Sequence, residues 1–271
     1  MKLQPINLLL LLSVVLVCAC EKVIDVDLNE SDPQLVIEAR LQQGQHDFEV
    51  LISQTVNYFS NEAPAFRNDA QVRLLDNTGT SIDIPLVNDG LYRANVEAVS
   101  GQTYTLEVTL DDTRYLASAE VPVPVELREL ESEFREAFGP LDEGYQVFLR
   151  FTDDPQRKNY YRQIHAIDGI YELAGEDLQV TDDNLFDGSE NARLPIFQRA
   201  FDPGVTLTVI LQHIDEGSFE YLNSLSDIIG EDGGPNSGSA APGNPTGNWD
   251  GEILGYFGAF TADTLQIELP E

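Results

Sequence analysis

One short stretch of this chain spells out a chemical fate for its own side chain. Val17-Cys18-Ala19-Cys20 closes an apolar run that extends from Ile6 to Val17, behind the positive charge of Lys2. The pattern is that of a bacterial lipobox, in which a signal segment is cut before a cysteine that then carries lipid. Ala19 supplies the small residue before the cut, and Val17 the branched aliphatic two places earlier. Cutting before Cys18 would place bulky Val17 at the scissile bond, so Cys20 is the expected attachment residue. The apolar run falls short of the about 20 residues that cross a bilayer, which suits a signal segment rather than a span. An ordinary signal peptide, with the cysteine there by chance, is the competing reading.

Other candidate chemistry is sparse. Cys18 leaves with the signal and Cys20 is acylated, so the folded body has no thiol for a disulfide, a nucleophile or a zinc site. His46, His165 and His213 match no zinc spacing; the last two fall in expected strands, where a structural role is favoured. No Gly-x-Ser-x-Gly elbow, phosphate loop or dinucleotide fingerprint occurs, so no catalytic residue is assigned. Asp25-Val26-Asp27-Leu28-Asn29 and Asp182-Asp183-Asn184-x-x-Asp187-Gly188 gather oxygen ligands that calcium would accept. Neither has the EF-hand order, and the favoured reading of each is an acidic loop; no other cofactor is implied. Trp249, the only tryptophan, lies in a Gly-rich loop ahead of Tyr256 and Phe257. These three aromatics are the candidate partner contact, unless Trp249 folds back to plug a sheet edge.

Composition narrows the partners. With 47 acidic residues against 15 basic ones the formal net charge is −32, and losing residues 1–19 removes Lys2 and no acid. Such a surface repels nucleic acid and anionic headgroups, and its ordinary meaning is solubility.

The elements that must position any site are mostly strands. Leu35, Ile37, Ala39 and Leu41 share a face with Glu38 and Arg40 opposite, and Phe48, Val50 and Ile52 repeat the alternation, as do Val72 and Leu74. Turn signals at Asp76-Asn77-Thr78-Gly79 and Asn88-Asp89-Gly90 separate further short strands, including Tyr104 to Leu110. This spacing predicts an all-β chain of two consecutive β-sandwich-like domains. Gly101-Gln102-Thr103-Tyr104 resembles a tyrosine corner, or else holds a merely half-buried strand tyrosine. The expected plan is a signal peptide at 1–19, an acidic tether at 20–33, an immunoglobulin-like sandwich at 34–122 and a β-rich domain at 123–271. Val121-Pro122-Val123-Pro124-Val125 marks the junction, because two prolines stiffen the chain and remove ladder donors. In the second domain residues 174–191 read as a solvated excursion. Phe219, Leu222, Leu225 and Ile229 predict one short helix, capped by Asp215 or Ser218 and ended by Gly230. A long Gly-rich loop spans 230–251, and separate strands are expected at 253–260 and 264–269.

Taken in order, several segments resemble a family. Cys20-Glu21-Lys22-Val23-Ile24-Asp25-Val26-Asp27, then Leu35-Val36-Ile37-Glu38-Ala39, is similar to the opening of a Bacteroidota lipoprotein family catalogued as domain of unknown function 4249. Ala70-x-Val72-x-Leu74, Gly101-x-x-Tyr104 and Pro122-Val123-Pro124 continue the likeness. Tyr221-Leu222-x-Ser224-Leu225, Asn244-Pro245 and Gly255-Tyr256-Phe257-Gly258-Ala259-Phe260 complete it. Thr246 departs from the family pattern, in which an aromatic follows Asn244-Pro245. The resemblance implies an outer-membrane lipoprotein held through Cys20, leaning toward the surface face, and an accessory of a TonB-dependent transporter. It carries no agreed catalytic residues. The expectation is therefore a lipid-anchored binding or accessory module rather than an enzyme, the alternative being a surface hydrolase of polysaccharide or peptide working through carboxylates.

Overall fold

Period-two alternation becomes three sheets. The computed structural model describes residues 33–56, 63, 65–137, 143–231 and 243–271. Cys20, the signal segment, most of the tether and the 25–29 acidic cluster lie outside the described residues. Strands β1 (Leu35–Gln42), β2 (Gly44–Gln54), β6 (Leu86–Asn88) and β7 (Leu91–Ala98) share one sheet with β12 (Tyr160–Ile167), β13 (Ile170–Glu172), β16 (Thr206–Ile214) and β17 (Phe257–Glu268). Its path is β13-β12-β16-β17-β1-β2-β7-β6, with β3 (Ala65–Phe66) beside β2 and β14 (Gln179–Asp182) beside β12. A four-stranded sheet joins β4 (Gln71–Asp76), β5 (Ser81–Asp83), β8 (Thr103–Leu110) and β9 (Thr113–Glu120). The third contains β10 (Leu127–Arg135), β11 (Gly144–Phe151) and β15 (Ala192–Phe201). The fold is all-β and sandwich-like, with one α-helix, α1 (Glu216–Glu231), among the described residues.

Each smaller sheet covers part of the long one. Ile37, Leu41, Phe48, Val50 and Tyr92 of the long sheet pack with Val72, Leu106 and Val108 of the four-stranded sheet. A second core joins Tyr161, Leu207, Val209 and Leu211 to Val147, Leu149, Phe151 and Ile196 of the three-stranded sheet. The 122/123 junction does not interrupt the long sheet, because β17 pairs in parallel with β1, Ala39 opposite Phe257. Phe257, Ala259 and Trp249, all from the second half of the sequence, belong to the first core. Pro33–Glu271 accordingly forms one compact unit. Gly255 permits the closure: its φ is +87°, and a Cβ there would collide with the carbonyl oxygen of Ile37.

Local chemistry explains the turns and the helix. Asp89 and Gly90 take φ of 40° and 72°, as a two-residue hairpin turn demands. The Asp76 carboxylate accepts from the Thr78 and Thr80 amides at 2.9 and 2.8 Å, closing the next turn. Tyr104 makes the anticipated corner: its hydroxyl accepts from the Val99 N–H at 3.0 Å and donates to Gln102 at 3.2 Å. Tyr104→Phe leaves a part-buried amide without its acceptor and should cost about 1–2 kcal/mol, read from the urea midpoint. An unchanged midpoint would show that the corner contributes no net stability.

Asp215 precedes α1, and its carboxylate accepts from Ser218 Oγ at 2.5 Å and from the Ala259 amide at 2.8 Å, pinning the helix start to β17. The helix continues through Gly230 to Glu231 instead of ending there; one helical glycine costs only about 1 kcal/mol. Part of the 174–191 excursion joins the fold, because β14 pairs with β12. Positions 253–269 hold one long strand, β17, rather than two.

Candidate functional site

Of the three aromatics expected as a partner contact, Trp249 and Phe257 lie in the first core, and Tyr256 is also buried. Trp249, Tyr256 and Phe257 are 8 %, 6 % and 0 % exposed. Trp249 folds back over the sheet, and its indole Nε1 donates to the Ile37 carbonyl at 3.1 Å. Phe257 meets Phe48 edge-on with ring centroids 6.0 Å apart. Tyr256 alone borders a groove, stacked on Tyr221 of α1 at 4.2 Å.

That groove, of about 820 Å³, lies on the outer face of the long sheet beside α1. Strand alternation builds it: Ile37, Ala39 and Leu41 of β1 point into the first core, so Glu38 and Arg40 point out. On β12, Tyr161 and Gln163 are buried, so Arg162 and Ile164 point to the opposite face. Arg40 and Arg162 thereby line one groove from strands far apart in sequence. Arg162 Nε is buried, and neither it nor the rest of that guanidinium has an ion-pair or hydrogen-bond partner among the described residues. Burial, then the charge of Arg40, pulls the Arg162 pKa below its ordinary value, while Tyr256 acts in the opposite direction. Burial raises both phenols, with that of Tyr221 pushed up to about 12. Both tyrosines are therefore neutral at physiological pH. Tyr171 and Leu173, 51 % and 67 % exposed, add an apolar wall with Leu225 and Phe260.

A second cavity, of about 440 Å³, opens where β9, the proline junction and the start of α1 meet. Its two cations are already paired. Arg157 pairs with Glu120, Lys158 Nζ lies 3.5 Å from Asp182, and the Tyr160 hydroxyl donates to Glu216 at 3.0 Å. His213 at this site is 7 % exposed, and burial lowers its pKa, keeping the ring neutral. Its Nδ1 is 2.7 Å from the Val123 carbonyl, so the ring ties the proline junction to β16. His165 sits 2.6 Å from Glu172 within the sheet, and His46 lies on β2. The histidines do not converge.

The acidic loop assembles differently from its sequence spacing. Asp183 and Asp187 meet Asp153, not Asp182 or Asn184, with one oxygen of each within 4.8 Å of the others. Asp182 turns to Lys158 and Asn184. Asp153 accepts from the Tyr161 hydroxyl at 2.5 Å and the Gly188 amide at 2.8 Å; Asp183 accepts from the Asn159 amide at 2.6 Å. Three such oxygens can coordinate a hard cation such as calcium. The two buried acids also organise the local chain, which gives them a structural role in their own right. At 1 % and 2 % exposure Asp153 and Asp183 do not face a cleft as a hydrolase pair would.

Burial raises the Asp153 pKa, reinforced by Asp183 and Asp187 and opposed by its two hydrogen bonds. Ionised Asp153 is thus penalised in the folded state at neutral pH, and its contribution to stability returns as pH falls through the raised value to the ordinary aspartate range. Asp153→Asn cannot titrate. Wild type should therefore gain stability relative to that variant on acidification through this window, measured by urea unfolding at stepped pH. A difference independent of pH would refute the raised value.

A family model described as "Domain of unknown function (DUF4249)" matches residues 21–266. The chain belongs to the DUF4249 family. No curated protein matches this DUF4249 chain in sequence. Among solved structures, a two-domain fibronectin type III segment of chicken tenascin is similar at 14 % identity, over 67 % of this chain and 91 % of that one, with a TM-score of 0.23. Titin domains Z1Z2 in complex with telethonin are similar at 17 % identity, over 68 % and 89 % of the two chains, also at 0.23. Among the described residues of the DUF4249 body, no helix is long and apolar enough to cross a membrane.

Arg40, Arg162 and Tyr221 were not among the residues singled out from sequence. The outward position of Arg40 was legible from β1 alternation. Its meeting with Arg162 depends on β17 lying between β1 and β16, a long-range pairing that no local pattern encodes.

Proposed function

We propose that this protein is a lipid-anchored envelope protein of a diderm bacterium, held through Cys20, whose folded body is a binding or accessory module. The observation that carries the binding role is the outer-face groove, of a size suited to a small ligand, with an aromatic stack and two guanidinium groups that have no ion pair among the described residues. The lipobox sequence supports the anchor. A TonB-dependent transporter is the proposed partner and the outer membrane the proposed site, leaning to the surface face; both rest on what the family resemblance implies. The test is affinity capture of the full lipidated protein from membranes, followed by identification of what accompanies it. A transporter β-barrel recovered in constant proportion supports the partnership. Recovery of the protein alone, under detergent conditions that preserve known barrel complexes, overturns it.

A further inference from the structure

We infer that the groove on the outer face takes an organic carboxylate with an apolar or aromatic body, gripped by Arg40 and Arg162. This rests on the reading of the body as a binding module and names the ligand chemistry of the same groove. The first support is a pair of guanidinium groups without ion-pair partners among the described residues. The chain is strongly acidic, and most described arginines sit in ion pairs, Arg67, Arg73, Arg93 and Arg150 among them. Arg40 and Arg162 have none among the described residues, although they lie close enough for one charge to depress the ionisation of the other.

The acids around them form no salt bridge with either arginine among the described residues. Glu49 is taken by Arg93, and Asp47 accepts from Asn95 at 3.0 Å. Glu38 lies near Tyr221 and makes no ion pair with either arginine. Neither Glu38 nor Asp47 is in an ion pair with the two cations among the described residues.

The second support is the buried Nε of Arg162. A buried donor without an acceptor is costly, and a charged one more so, so an anion entering the groove relieves a penalty already present in the fold. Guanidinium groups match carboxylates with paired N–H donors, which favours this anion over a diffuse one. The third support is the rest of the lining. Tyr221 stacked on Tyr256 offers a flat surface, and Leu173, Leu225 and Phe260 offer apolar walls. A bare inorganic anion would leave these unused, whereas a carboxylate on an apolar body uses both halves of the groove.

The test compares 2-naphthoate with 2-naphthamide, which share a body and differ in charge. Each is equilibrated by dialysis against the full lipidated chain in phosphatidylcholine nanodiscs, with empty discs as the reference. Naphthoate should bind at least about tenfold more tightly than naphthamide, and Arg162→Gln should remove the preference. Arg40 is exposed, so Arg40→Gln serves as a second variant that leaves the core untouched; it should weaken naphthoate and spare naphthamide. Equal affinity for both probes overturns the carboxylate inference and leaves the binding reading standing. A preference that survives Arg40→Gln and Arg162→Gln, with circular dichroism unchanged, also overturns it. If neither probe binds, the inference fails, and the binding module is judged on membrane capture alone.

Discussion

Trp249→Ala is expected to lower the unfolding free energy by about 3–5 kcal/mol, the range for removing a large aromatic from a packed core. The indole is 8 % exposed within the first core and closes a hydrogen bond on the Ile37 carbonyl, so truncation removes both packing and a polar partner. Domains of ordinary stability hold only about 5–15 kcal/mol in total, so this one substitution approaches unfolding. Trp249→Phe keeps most of the ring and loses the hydrogen bond, with an expected cost nearer about 1–2 kcal/mol. Because Trp249 is the only tryptophan, its fluorescence reports wild-type unfolding, while far-ultraviolet circular dichroism must follow both variants. A loss below about 1 kcal/mol for the alanine variant would place the indole outside the core's energetics.

Cys20→Ala is expected to move the protein completely from the membrane to the soluble fraction, with its fold retained. Each buried methylene of an acyl chain stabilises membrane association by about 0.8 kcal/mol, and a cysteine bearing several chains is held far beyond marginal binding. Among the described residues no apolar helix could substitute for that anchor. Fractionation with an unfolding measurement on the released material checks both parts. Retention of the variant in membranes would refute the anchor.

Strands with a one-sided environment were legible in the sequence. β1, β2 and β8 alternate cleanly because one face meets a core and the other meets solvent or polar neighbours. β10 was missed: Leu127–Arg135 reads LRELESEFR, charged enough to hide its alternation, and it is an edge strand whose Glu131 and Glu133 bind Arg150 and Arg193 across the sheet. β15 contains Pro195, which works against a strand in sequence; it too lies at an edge, where a missing donor is tolerated. Trp249 among glycines leaves two readings open in sequence, an exposed contact or a plug on the sheet; the second is the one found, with a hydrogen-bond partner, Ile37, at the opposite end of the chain. The acidic site was half legible: Asp183 and Asp187 stood out by spacing, while Asp153 arrives from another strand connection. Sequence proximity reports ligands only when one turn supplies them all.

The parallel seam between β1 and β17 joins the first and last described strands, and this has a kinetic consequence. Contacts between residues so distant in the chain close late, since the entropy of the intervening loop must be overcome first. As the chain emerges amino end first, β1 can pair with β2 early but keeps an open rim until residues 249–268 arrive. An unpaired rim recruits other strands, so the nascent protein passes through a stage vulnerable to aggregation. Chaperone demand during biogenesis should therefore track how long synthesis of the final segment is delayed.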